Sequence, residues 1–429
     1  MNILMITNTF TPHRGGVARS IEAFTAEYRK RGHRVLVIAP EFEDMPRDEL
    51  DVVRVPAIQH FNGSDFSVVL PIPGFLRSAI EDFRPDIVHS HHPFLLGATA
   101  IRVARSHLLP LVFTHHTMYE HYTHYVPGDS PAMKRFVIDL ATSYANLCNQ
   151  VLTPSESTAT VLRARGVTTP IDVVPTGVAT ELWRAVDGAA CRKAAGIPRE
   201  AFVVGHVGRL APEKSLTFLA EAVSRFLATC DRAHFLVVGS GDSEKDICRI
   251  LGSTGLGRRL HCLGSVGHPA LGDAYGAMDV FAFASKSETQ GMVLTEAMAA
   301  GVPVVALDAP GVREVVRESE NGRLLPMENV VEFASALSGI EAAAPAERQR
   351  LIAGALATAG RFSIGRTAEK ALAIYDRLRG TQRHQDDVHY DSWMAGLRLI
   401  EAEWNVISGL VGAASAALTP SSRDSGAHS

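Results

Sequence analysis

The stretch SETQGMVLTEAMAAGVPVVA, Ser287–Ala306, follows the apolar run Val280–Ala284 and ends inside another, Val302–Leu307. Two uninterrupted apolar strands joined by a glycine-bearing loop and a helix make a parallel crossover whose sheet is covered on both faces. Glu288 and Glu296 are separated by seven residues. On a continuous helix, eight steps of about 100° leave them roughly 80° apart, so they do not share one line. The spacing therefore predicts Glu288 in the strand-to-helix loop and Glu296 one turn inside a helix that begins near Gly291. The amides of Gly291, Met292 and Val293 then form an anion site, and Gly291 lets a phosphate approach the backbone. Glu296 can accept two hydrogen bonds from a cis-diol such as ribose, and Glu288 can hold sugar hydroxyls. Taken without context, the two acids also read as ordinary surface helix charges.

The alternation extends outward in both directions. In the second half Phe202–Val207, His234–Val238 and Arg259–Leu263 read as further strands, with helices at Ser215–Cys230, Ser243–Leu251 and Thr295–Ala300. The first half carries strands at Ile3–Thr7, Arg34–Ala39, Asp51–Val55, Asp86–Ser90, Leu111–Thr114 and Gln150–Thr153, with helices such as Val17–Arg31 and Met133–Asn149 between them. This is the pattern of an α/β protein with two doubly wound halves, joined near Pro175–Gly188. Ligands of such sheets lie beyond the carboxyl ends of the strands. The unusual residues collect there: Gly15-Gly16, His115-His116, Arg209 and Lys214, Gly239-Ser240-Gly241, and Glu288 to Gly291. Their distribution over both halves predicts a site in a cleft between two domains.

Composition bounds the answer. The chain has 429 residues, 46% of them hydrophobic and 21% charged, enough to bury sizeable cores. Lysine and arginine number 42 against 46 acidic residues, a net charge of −4 that gives nucleic-acid binding no support. Five scattered cysteines without a CxxC pair fit neither a disulfide framework nor a zinc ribbon and suit a reducing cytosol. The N-terminal MNILMITNTF reads as a first buried strand rather than a signal peptide, and no apolar run is long enough to span a bilayer. Beyond the amphipathic helix Ile364–Arg379, Tyr390, Trp393, Leu397, Ile400, Trp404, Ile407 and Val411 recur at steps of three or four. This stripe is read as packing on the chain's own protein or on a twin subunit, so a homo-oligomer formed through it is one expectation.

Two nucleotide signatures are excluded. No GxGxxG follows any strand, which removes the main support for a dinucleotide dehydrogenase. GRLAPEKS, Gly208–Ser215, comes within one residue of a phosphate-binding loop, but Glu213 stands where the second glycine must be and would repel phosphate. The chain also lacks a D-x-D string to hold a divalent metal under a diphosphate. Charge neutralisation is therefore expected from cationic side chains and amides, with no cofactor and no metal.

The Glu288–Glu296 stretch resembles the E-x(7)-E signature of retaining GT-B glycosyltransferases, the glycosyl transferases group 1, which use nucleotide sugars. ITNTFTPHRGGV resembles that family's N-terminal glycine loop, HVGRLAPEKS its phosphate-clamping segment and DVVPTGV its interdomain linker. The resemblance implies two Rossmann-like domains facing a central cleft, an acceptor domain at 1–176 and a nucleotide-sugar domain at 177–361. A helix at 362–380 would cross back, and 381–429 would form a helical tail with a disordered end. It further implies that Arg209 and Lys214 bind the diphosphate of a UDP-sugar, assisted by Gly15, Gly16 and Gly239. Glu296 would bind the ribose, Glu288 would sit against the donor sugar beside Gln290 and Gly291, and His116 would lie near sugar and acceptor. By the same analogy the leaving phosphate takes the acceptor's proton, while Arg209, Lys214, His116 and Glu288 carry the catalysis.

HSHHPF, His89–Phe94, and HHTMYEHYTHYVP, His115–Pro127, concentrate histidines and tyrosines in the first half. Metal binding is the obvious alternative there, but no accompanying cysteine or carboxylate set completes a site. His91, His92, Tyr119, Tyr122, His124 and Tyr125 are expected instead to line a pocket for a hydroxyl acceptor. With ETQG, these motifs most resemble the glycolipid branch, the diacylglycerol α-glucosyltransferases. That branch implies a membrane lipid acceptor and peripheral docking at the inner face of the cytoplasmic membrane. Arg19–Arg34, with Arg29, Lys30, Arg31 and Arg34, and the apolar Val68–Arg77 are the candidate contact surfaces. The competing readings are the same chemistry on phosphatidylinositol, a polysaccharide or a small soluble alcohol, and a non-catalytic nucleotide-sugar-binding protein.

Overall fold

The computed structural model describes residues 1–13, 15–58, 68–69, 75–121, 123, 130–183 and 186–383. The chain divides into two compact units, Met1–Val174 with the chain from Ala368, and Pro175–Thr367. The tail stripe from Tyr390 onward lies outside the described residues, as do residues 70–74 of Val68–Arg77.

The first unit is built on a seven-stranded parallel sheet. Across it the strands run Val52–Val55, Arg34–Pro40, Asn2–Ile6, Ile87–Ser90, Leu111–Thr114, Gln150–Thr153 and Ile171–Val173. Alternate residues of a strand point to opposite faces. Ile3, Met5, Val35 and Val37 accordingly pack with Ile21 and Tyr28 of the helix Gly16–Lys30 and with Ala371 and Tyr375 of the helix Ile364–Arg383. Leu4, Ile6, Leu36 and Ile38 face the other way, onto the helices Phe75–Phe83 and Leu96–Ser106.

The second unit repeats the plan with six strands, ordered Leu260–Cys262, Ala233–Val238, Phe202–Val207, Val280–Phe283, Val304–Leu307 and Gly322–Leu325. Val203, Val207, Phe281 and Phe283 bury against Tyr275, Leu294 and Met298, while Phe202, Val204, Val280 and Ala282 bury against Leu219, Val223, Phe226 and Phe333. In both units the chain reverses its direction across the sheet between the first strand and the fourth. That switch point opens a crevice at the carboxyl ends of those two strands, the usual ligand position of doubly wound sheets.

The basic stretch Arg29–Arg34, at and just beyond the end of the first helix, makes contacts within the chain. Arg29 donates to the carbonyls of Val35 and Leu50, Arg31 pairs with Glu27, and the Arg34 guanidinium lies over the Phe83 ring. Lys30 lies 4.0 Å from Glu27 as well, so all four cations of the expected contact surface also have an intramolecular partner.

Candidate active site

In the second unit the strands at the switch point, Phe202–Val207 and Val280–Phe283, are direct neighbours, with Val204 opposite Val280 and Gly205 opposite Phe281. Their following loops therefore emerge side by side, and this brings Lys214 to Glu288. Lys214 Nζ forms an ion pair with Glu288 Oε1, both side chains being mostly buried. Arg209, nearly half exposed, pairs with Glu213, and Ser287 Oγ donates to the Glu213 carbonyl at 3.4 Å. Each cation expected to grip a diphosphate thus stands with a carboxylate four residues away or across the crevice.

The helix Met292–Ala299 begins as the spacing of the acids predicts. Gly291 caps it in the left-handed region at φ 73° and, having no side chain, makes no side-chain cap bond. A side chain would be strained at that φ, and a Cβ built there would lie 2.9 Å from Leu294 Cδ1. Amides of the first turn have no intrahelical partner, so at Met292 and Val293 they concentrate positive potential at the helix start. Glu296 lies one turn in and is buried, only 4% exposed, with Tyr275 Oη donating to its Oε2 at 2.9 Å. Tyr275 was not legible as a site residue. It stands on the helix Ala270–Gly276, and no local motif ties it to a glutamate 21 positions on.

Two residues expected to touch the donor also hold the local structure. Gln290 is buried, donates through Nε2 to the Thr176 carbonyl at 2.9 Å and accepts from the Thr176 amide through Oε1. One donor and one acceptor position of its amide thus go to the Thr176 backbone, which fixes the side chain and leaves its second N–H and second lone pair for other partners. Gly239 is required by close packing. A Cβ there would meet the Gly208 carbonyl oxygen at 1.8 Å, so the Gly239–Gly241 loop lies directly on the loop that carries Arg209. His206, unnoticed in the sequence, donates from Nδ1 to the Ala282 carbonyl at 3.1 Å, and burial pushes its pKa down to about 4.

In the first unit the switch-point strands are Asn2–Ile6 and Ile87–Ser90, paired from Ile3 opposite Ile87 to Ile6 opposite Ser90. Gly15 caps the helix Gly16–Lys30 without a side-chain bond. His91 and His116, from neighbouring strand ends, come together with Nδ1 and Nε2 2.9 Å apart. Burial holds both well below the ordinary histidine range, and surrounding imidazoles lower them further. His92 is structural at one nitrogen: its Nδ1 accepts from the Asn8 amide at 3.1 Å. Asn8 in turn accepts from Leu96 N and donates to the Phe94 carbonyl, which fixes the loop after Ile87–Ser90. Tyr119 packs its ring against Phe94 and His115, and its hydroxyl is buried without a hydrogen-bond partner among the described residues. Tyr122, His124 and Tyr125 lie outside the described residues. No group of three or more His, Cys, Asp or Glu side chains among the described residues converges on a position for a metal ion.

Residues 14–182 match the family Glycosyltransferase Family 4, and residues 201–341 match Glycosyl transferases group 1. A D-inositol 3-phosphate glycosyltransferase of Stackebrandtia nassauensis is 31% identical over 304 residues, 68% of this chain and 68% of that protein. The chain belongs to the glycosyl transferases group 1. It is a hexosyltransferase with the GT-B fold. An alpha-monoglucosyldiacylglycerol synthase of Acholeplasma laidlawii is 27% identical over 338 residues, 75% of this glycosyltransferase and 84% of the relative. A GDP-mannose-dependent alpha-mannosyltransferase of Mycobacterium tuberculosis is 29% identical over 400 residues, 90% of this chain and 99% of the relative. The Anabaena HepE protein, solved in complex with UDP and glucose, superposes with a TM-score of 0.70 at 22% identity, covering 88% of this chain and 100% of that one.

Proposed function

We propose that the enzyme moves a glucosyl group from UDP-glucose to a hydroxyl of diacylglycerol or a similar membrane lipid, with retention at the anomeric carbon and without a metal ion. One observation carries the reading: Lys214 stands against Glu288 beside the open helix start at Gly291, with Glu296 buried one turn further in. A diphosphate entering there exchanges the Glu288 carboxylate for its own oxygens at Lys214, and the released carboxylate is left for hexose hydroxyls. As the glycosidic bond breaks, the sugar acquires oxocarbenium character and negative charge grows on the diphosphate. Arg209, Lys214 and the amides at Gly291 stabilise that charge without reorganising. The leaving phosphate takes the acceptor's proton on the same face of the sugar. Glu288 holds the hexose rather than attacking it, and Glu296 holds the ribose. His116 and His91, with Tyr119, receive the acceptor hydroxyl.

The name of the Acholeplasma relative favours glucose and a diacylglycerol acceptor, and the nucleotide in the HepE complex favours uridine. A lipid acceptor implies work at a membrane surface. No helix among the described residues is long and apolar enough to cross a membrane, so the contact is peripheral in this reading. The mannosyltransferase relative supports a second reading, GDP-mannose as donor, because the alignment spans 90% of this chain.

The test is incubation of the purified full-length enzyme with diacylglycerol micelles and, separately, radiolabelled UDP-glucose, UDP-galactose, UDP-glucuronic acid and GDP-mannose, with EDTA present throughout. The expected result is a labelled α-glucosyl lipid from UDP-glucose alone, lost in Glu288→Ala. Label entering lipid from GDP-mannose instead selects the second reading. Product formed only with a soluble alcohol such as inositol phosphate overturns the lipid assignment, and activity restored only by added Mg2+ overturns the metal-free mechanism.

A further inference from the structure

The helix Ile364–Arg383 sends Tyr375 into the core of the first unit, where it meets a histidine. The Tyr375 hydroxyl lies 2.6 Å from His89 Nδ1, and the opposite ring nitrogen of His89 lies 2.7 Å from Thr114 Oγ1. The Tyr28 hydroxyl closes the far end, 3.3 Å from that of Tyr375. All four side chains are buried. Burial pushes the His89 pKa down to about 3, so the ring is neutral, one nitrogen donating and the other accepting. The two hydroxyls satisfy both. Held at each end, the His89 ring cannot turn without breaking two buried hydrogen bonds.

That ring is the floor on which His91 rests. The two centroids are 4.1 Å apart, and His91 in turn presents Nδ1 to His116 Nε2. The other nitrogen of His91, Nε2, is buried with no hydrogen-bond partner among the described residues. The orientation of His91 therefore depends on its contact with the His89 face and on its bond to His116. A hydrocarbon pair in place of Tyr375 and His89 would fill this core without two desolvated polar groups. What the polar pair adds is a single defined ring orientation.

We propose that Tyr375 is a positioning residue for glycosyl transfer: its hydroxyl locks the His89 ring, the locked ring seats His91, and His91 holds His116 in its working orientation. The inference rests on the reading that His116 stands at the transferred sugar and the acceptor. Tyr375 itself touches neither.

The experiment compares full-length Tyr375→Phe, Tyr28→Phe and His116→Ala in initial-rate kinetics, and records the ring-nitrogen NMR resonances of histidine-labelled protein. Tyr375→Phe is expected to lower kcat about five- to tenfold, the factor for one lost positioning contact, with the donor KM unchanged. The resonances of His91 and His116 are expected to shift along with that of His89. Tyr28→Phe leaves the bond to His89 intact and is expected to keep kcat within about twofold of wild type. Unmoved His116 resonances in Tyr375→Phe, or equal kcat losses in Tyr375→Phe and Tyr28→Phe, overturn the proposal, the second because a merely structural role predicts it. If His116→Ala turns over normally, the reading of His116 has failed and this inference falls with it. If His116→Ala is inactive while Tyr375→Phe matches wild type, this inference alone fails.

Discussion

Tyr275→Phe isolates the bond that holds the buried glutamate. The Tyr275 ring is fully buried, edge-on to Trp183 at 5.3 Å and 5.9 Å from Phe281. Phenylalanine preserves that packing and removes only the hydroxyl, so no cavity of consequence opens. What is lost is the 2.9 Å hydrogen bond to Glu296 Oε2, together with a long 3.5 Å contact to the Val293 carbonyl. A hydrogen bond to a charged group contributes about 1.5–3 kcal/mol net, and the carboxylate it leaves behind is only 4% exposed, so water replaces the donor poorly. Folding stability should therefore fall by about 2 kcal/mol, which urea unfolding resolves easily. The carboxylate also loses one of the contacts that fix its orientation, which matters if it binds the ribose diol as proposed. An orientation penalty of about 1 kcal/mol corresponds to a roughly fivefold weaker Kd for UDP. Calorimetric titration with UDP measures it directly, and the increment in urea midpoint at saturating UDP provides an independent check. A variant destabilised as calculated that binds UDP like the wild type would refute the placement of Glu296 at the nucleoside. A variant with unchanged stability would refute the energetic argument itself.

Other perturbations give separate readouts. Gly291→Ala puts a methyl group at φ 73° and 2.9 Å from Leu294 Cδ1, so it should cost about 1–2 kcal/mol in unfolding experiments and reduce donor turnover at least about tenfold, since the methyl also meets Glu288 Cγ at 3.8 Å and the strain is placed at the helix start. Lys214→Ala should lower kcat/KM on the order of 100-fold, whereas Lys286→Ala, which breaks the half-exposed pair with Glu328 at 3.1 Å, should leave steady-state kinetics unchanged. Acid should destabilise the first unit through its buried histidines. His89 and His92 are depressed by burial from 6.5 to about 3, so the unfolded chain binds protons that the folded chain refuses, and the stability they contribute is complete above pH 6.5 and lost as pH falls toward 3. Each should cost about 2 kcal/mol between pH 7 and pH 5, and urea midpoints at those two values check the sign and the size.

Much of the second unit's site could be read along the chain because its parts are local. The spacing of Glu288 and Glu296 placed one acid in a loop and the other a turn into a helix, and the helix does begin after Gly291. Strands with continuous apolar runs, such as Leu111–Thr114 and Phe202–Val207, were equally plain. The edge strands Ile171–Val173 and Gly322–Leu325 were not, because an edge strand is covered less completely and tolerates the charges of Asp172 and Arg323. The helices Leu96–Ser106 and Pro345–Arg361 were missed too, their alanines and glycines blurring the apolar stripe.

The sequence by itself determined the class of fold, the strand ends that carry unusual residues, and the family, since each depends on patterns within a few tens of residues. Only the tertiary structure decided which polar groups are already spoken for. Gln290 is fixed by two bonds to Thr176, Glu296 accepts from Tyr275, and His91 reaches His116 over a ring that Tyr375 holds from 286 positions along the chain. A side chain can satisfy its hydrogen-bonding capacity with any neighbour that folding delivers. Periodicity records which face of an element is buried and carries no record of what lies opposite it.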